Sequence, residues 1–168
     1  MNDLTGVLGY RPQSYPEFEL GVSAPPFSGD ERNTYGTPTA KTVEGAMSPL
    51  GIYADLPSSV RDRVRVIALN LIGIAKGDWQ PTPGVLEPHA PAYALTLGWF
   101  EDEGFRYPLV TVFSRDPELP ELPDAAGSLR NWVARLITHT FRCGAFSSGG
   151  RGKTFWAVVD FQEALPTI

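Results

Sequence analysis

Residues 93–115 read YALTLGWFEDEGFRYPLVTVFSR. Tyr93, Leu95, Leu97 and Trp99 alternate with Ala94, Thr96 and Gly98, the period of a half-buried strand. Glu101-Asp102-Glu103-Gly104 forms the turn, and FRYPLVTVFSR returns as a second strand. Pro108 removes one ladder donor, so the returning strand lies at an edge there or pairs only beyond it. This hairpin anchors the reading of the chain on either side.

Upstream, DLPSSVRDRVRVIALNLIGIAKGDW (55–79) puts Val60, Val64, Ile67, Leu71 and Ala75 on one helical stripe, with Arg61, Asp62 and Arg65 off it. Ser59 and Asp62 offer a capping box and Gly77 a stop. A proline-rich loop, QPTPGVLEPHAPA, leads into the hairpin. Downstream, DPELPELPD is a stiff acidic connector suited to an extended course. In SLRNWVARLITHTFRCG, Leu129, Trp132, Val133, Leu136, Ile137, Thr140 and Phe141 follow helical spacing, with Ser128 as cap and Gly144 as stop, which predicts a second helix over 128–144. In the final TFWAVVDFQEAL, Phe155, Ala157, Val159 and Phe161 alternate as a closing strand. The order helix, hairpin, helix, strand predicts an α+β domain over residues 55–168, with two helices packed on a small, mainly antiparallel sheet.

Residues 1–54 read differently. Six prolines and seven glycines are scattered without helical or strand period, and only FELGV and LGIYA suit short strands. This predicts an extended, irregular N-terminal arm, whose reach at full extension is on the order of 180 Å. Its apolar residues, Leu8, Tyr10, Tyr15, Phe18, Leu20, Phe27 and Tyr35, can dock on their own domain or on neighbouring subunits; the reading favours neighbours.

The 168 residues suit one modest core, 42% are apolar, and the formal net charge of −5 argues against wholesale binding to nucleic acid. Cys143 is the only cysteine, which rules out an intrachain disulfide and a cysteine-based zinc site. MNDLTGVLGYRPQ has neither a basic start nor an apolar run, and the apolar stretch 64–75 is too short to span a bilayer, so no signal peptide or membrane span is expected.

SSGGRGKT (147–154) ends as a phosphate-binding loop would, in Gly152-Lys153-Thr154. Such a loop needs a leading glycine, where Ser147 stands, a strand before it and a helix after it. Here the order is inverted, so the segment reads as a connection with a basic tip. His139 and Cys143, four apart, would share one helical face, but no third group orients them, and a buried helical cysteine is ordinarily packing. His89 sits alone in a proline-rich loop. The three adjacent carboxylates of the turn read as a solvated acidic tip without ligand spacing.

Charge is unevenly spread. Residues 101–124 carry seven acidic and two basic side chains, whereas 125–168 carry five basic (Arg130, Arg135, Arg142, Arg151, Lys153) and two acidic. Opposite patches suit head-to-tail contact between identical subunits. The element order of 57–168 resembles that of phage tail-terminator and head–tail joining proteins, which implies a ring-forming subunit that caps a tail and joins it to the head. The expectation is a non-enzymatic structural subunit, in the virion or host cytoplasm, whose partners are copies of itself and neighbouring structural proteins. Its contacts would be Tyr10, Tyr15, Phe18, Phe27 and Tyr35 of the arm, the five basic residues, and Glu101, Asp102 and Glu103. No cofactor, metal, catalytic residue or small-molecule substrate is expected, and neither membrane nor nucleic acid is an expected partner. The alternatives are a small α+β protein-binding monomer of immunity or adaptor type, and an enzyme with His139, Cys143 and the acidic turn in a site between arm and sheet.

Overall fold

The hairpin forms where its pattern predicts, with a tighter turn: Glu101 and Asp102, expected in the turn, are paired within the strand. In the structure, a computed structural model that describes residues 18–76, 93–115, 140–147 and 152–164, strand β3 is Tyr93–Asp102 and strand β4 is Phe105–Ser114, paired from Tyr93 opposite Ser114 to Asp102 opposite Phe105. Two residues close it, Glu103 at φ 50° and Gly104 at φ 83°. Two positive φ values in succession match the right-handed strand twist, as in a type I′ turn.

On its other side β4 meets β6 (Lys153–Val159) from Leu109 onward, and the two-residue β7 (Glu163–Ala164) at Phe105 and Arg106. Pro108 falls in the gap between those ladders, which is how a central strand tolerates a residue that cannot donate. Strand β6 then pairs with β5 (Thr140–Ser147). Two further strands lie at the edges: β1 (Phe18–Leu20) runs parallel to β5, and β2 (Asn33–Gly36) antiparallel to β3. The order across the sheet is β1-β5-β6-β4-β3-β2, with β7 beside β4. Every pairing but β1–β5 is antiparallel. The class is α+β, as expected.

Helix α1 (Ala40–Ala46) and helix α2 (Ser58–Lys76) share the core with one face of the sheet. All five residues of the predicted α2 stripe are buried, with Leu95, Leu97, Val110, Val112, Phe155, Ala157 and Val159 in the same cluster. At the α2 N-terminus, Val60 N and Arg61 N donate to Pro57 O at 3.0 Å, and the Asp62 carboxylate pairs with Arg65 instead of forming a box with Ser59. Gly77 lies outside the described residues. Helix α1 starts on a capping box of two threonines: Thr39 Oγ1 accepts from Thr42 N at 3.3 Å, and Thr39 N donates to Thr42 Oγ1 at 3.1 Å.

The second face is also covered. Tyr107, Leu109, Trp156 and Val158 are buried on it, with Ala24, Phe27, Phe100, Phe141 and Phe146 packed around them. The cover includes residues 21–32, a strap that leaves β1 at one edge and reaches β2 at the other. Trp156 Nε1 donates to Val22 O at 3.0 Å and Ser28 N to Trp99 O at 2.7 Å, which ties the strap to two separate strands.

Two expectations are corrected here. The helix predicted over 128–144 is a strand from Thr140 onward; residues 128–139 lie outside the described residues. Cys143 and Ala145 face the helix-side core while Arg142 pairs opposite Val158 on the other face, a period of two that helical spacing had masked. The predicted arm is also no separate, extended segment: over 18–54 it supplies both edge strands, the strap, α1 and the buried Tyr53. LGIYA is a run of turns and not a strand. Residues 1–17 lie outside the described residues, as do the acidic connector 116–124 and the proline-rich loop before β3.

Candidate functional site

The predicted contact residues separate into three groups. Tyr10, Tyr15, Arg130, Arg135 and Arg151 lie outside the described residues, as do His89 and His139. A second group is engaged within the chain. Phe18 sits opposite Cys143 in the β1–β5 ladder. Phe27 packs against the second face with the Arg32 guanidinium 5.6 Å from its ring centre. Tyr35 lies against the helix-side core. Arg142 donates to both carboxylate oxygens of Glu19, at 3.0 and 2.9 Å, and lies 5.2 Å from the Trp156 ring centre. That hydrogen bonding holds its guanidinium above its ordinary range. Lys153, expected at a basic tip, opens β6 opposite Ser114 and Ser147 and is only 2% exposed, with Nζ 5.4 Å from the Phe155 ring centre. Neither described member of the basic set presents a free charge to solvent. The third group is exposed: Glu101, Asp102 and Glu103 at the tip of the hairpin.

The best-built cluster joins β1 and the strap to β5 and β6. Glu19 and Arg142 keep 29% and 37% of their side-chain surfaces exposed, so their two-pronged pair is worth at most about 1 kcal/mol and acts chiefly on register. The packing beneath carries more. Trp156 is fully buried, and covering an aromatic of that size contributes roughly 2–3 kcal/mol. Gly144 makes the close approach possible: a Cβ there would stand 2.4 Å from Glu19 O and 2.8 Å from the Trp156 ring. Gly98 does the same at the far end of the strap, where a Cβ would stand 2.4 Å from the Phe27 ring.

At the hairpin end, Tyr53 Oη donates to Gly98 O at 2.6 Å and its ring meets Trp99 edge-on at 5.1 Å between centres. Burial holds that phenol protonated far above its ordinary range. Burial likewise pushes the Cys143 thiol up to about 11, and its place on a strand removes the helical pairing with His139. Such a thiol stays protonated near neutrality and is a poor nucleophile. Among the described residues no group of three His, Cys, Asp or Glu side chains is placed to hold a metal ion, and no helix is long and apolar enough to cross a membrane.

The pattern of TFWAVVDF carried a signal for the second face. Trp156 and Val158, between the expected core positions, are themselves large and apolar, and a strand apolar on both sides calls for cover on both. Glu19 and Val22, 123 and 134 residues from their partners, carried no such signal. No protein-family model, curated protein or solved structure matches the chain.

Proposed function

We propose that the chain is a non-enzymatic structural subunit of a symmetric assembly, of the kind that terminates a phage tail or joins it to the head. One observation carries this reading: the sheet is polar in charge along its strands. The exposed carboxylates of Glu101, Asp102 and Glu103 stand at one end, and the exposed Arg115 stands at the other, next to Ser114, which pairs with Lys153. The ten residues of β4 separate these ends by about 30 Å. Unlike charges at opposite ends suit a heterologous contact, which closes into a ring when the rotation between copies allows. Native mass measured over a range of protein concentrations and salt tests this. The expected result is a particle several times the chain mass, weakened by salt and by the triple substitution E101K/D102K/E103K. A particle indifferent to both would remove the acidic turn from the contact.

The self-docked strap favours a second reading, a compact protein-binding monomer of adaptor type. A single chain mass at every concentration would select it.

A further inference from the structure

We propose that residues 18–36 are exchanged between copies, so that β1, the strap and β2 of one chain close the sheet of a neighbour. This rests on the reading that copies assemble, and names the segment that joins them.

Three observations point to the exchange. The contacts of the segment are made with distant parts of the chain. Strand β1 pairs with β5, Gly21 N donates to Ala145 O, Trp156 Nε1 to Val22 O, Glu101 N to Ser28 Oγ, and β2 pairs with β3, so each partner lies in residues 93–159. The same contacts can therefore form within a chain or between chains without a new interface. Both edges of the sheet are closed by this one segment, so its departure opens β3 and β5 together and leaves sites that its counterpart in another copy fits.

The third observation is the hinge. The segment joins α1 through Thr37 and Pro38, and Thr37 stands at φ 47°, tied by Thr37 N to Tyr93 O at 2.8 Å. Two local preferences oppose that conformation. A β-branched residue is a genuine outlier at positive φ, and a residue before proline is pushed toward extended backbone. The closed form holds Thr37 against both, and straightening of the hinge relieves them. A short hinge under strain is the feature that invites exchange of an identical element between protomers.

Charge-exchanged partners test the proposal on the full chain. Glu19→Arg and Arg142→Glu each place like charges across the β1–β5 contact, at positions exposed enough for the fold to tolerate. If the segment is exchanged, a mixture of the two variants relieves the repulsion. The two introduced side chains then meet each other, with opposite charges, across one contact between the chains. Across the reciprocal contact the unchanged Glu19 and Arg142 meet as in the natural chain. Native mass spectrometry should show mixed particles enriched severalfold over the statistical ratio. A statistical ratio places the pair within each chain and overturns the exchange, and the natural chain's own particle then leaves the assembly reading standing. A natural chain that stays a monomer at every concentration overturns both. Thr37→Gly supplies an independent readout, since glycine removes the strain from the closed hinge. Assembly of this variant should require about tenfold higher concentration; unchanged assembly counts against the exchange.

Discussion

At Gly144 a hydrogen atom is all that fits between β5 and the backbone of β1, because a Cβ would meet Glu19 O at 2.4 Å. At Gly98 the obstruction is the edge of the Phe27 ring, which can turn aside. Gly144→Ala should therefore destabilise by about 1–3 kcal/mol and Gly98→Ala by less, read from urea unfolding midpoints. Equal costs would show that β1 is not pressed against β5. Cys143 gives a pH signature of the same packing. Its thiol is raised in the folded chain from 9.0 to about 11, so the folded state keeps the proton that the unfolded state loses above pH 9. The contribution is fully present below pH 9 and is lost as pH rises to about 11, a fall of roughly 2–3 kcal/mol. Unfolding measured from pH 8 to 11 checks this against Cys143→Ala, which should flatten that part of the slope.

The elements divide by how local their causes are. The hairpin was legible because Tyr93–Trp99 repeats with period two and Glu103-Gly104 can take the turn. Glutamate at φ 50° is nevertheless a poor occupant of its position. Glu103→Asn should raise stability by up to about 1 kcal/mol in a thermal or denaturant scan, with the fold unchanged. Helix α2 was legible from a stripe of five residues, all of which are buried. Helix α1 was not, since seven residues containing Gly45 within a proline- and glycine-rich stretch carry too little periodicity. Its start was written in the pair Thr39 and Thr42, and Thr39→Ala should cost about 1 kcal/mol, measured by denaturant unfolding. Strand β5 was hidden because Thr140 and Phe141 extend a helical pattern from upstream. Only the partners on either side, β1 and β6, reveal the period of two that runs through Cys143 and Ala145.

At the scale of the molecule, a boundary at residue 54 would divide the sheet. A chain that begins at Asp55 lacks β1, the strap, β2 and α1, uncovers Leu109, Trp156 and Val158, and leaves β3 and β5 as open edges. It should lose cooperative unfolding and aggregate, where the full chain gives a single transition; circular dichroism on heating and light scattering check this. A soluble, cooperative shorter chain would show the cover to be dispensable.

What the amino-acid sequence determined by itself was whatever neighbouring residues decide: the α+β class, the hairpin with its acidic tip, the buried stripe of α2 and the alternation of β6. Periodicity and turn chemistry act over a few residues, so they can be read without the rest of the chain. The tertiary structure alone decided the fate of the predicted contact set. Arg142, still partly exposed, is paired with Glu19, and Lys153 is buried at the start of β6, while Glu101, Asp102 and Glu103 remain exposed. It also decided that a stretch without period of its own, residues 18–36, closes both edges and one face of the sheet. Such a segment is ordered by strand pairings across 58 or more positions of sequence, and no local pattern encodes a partner that far away.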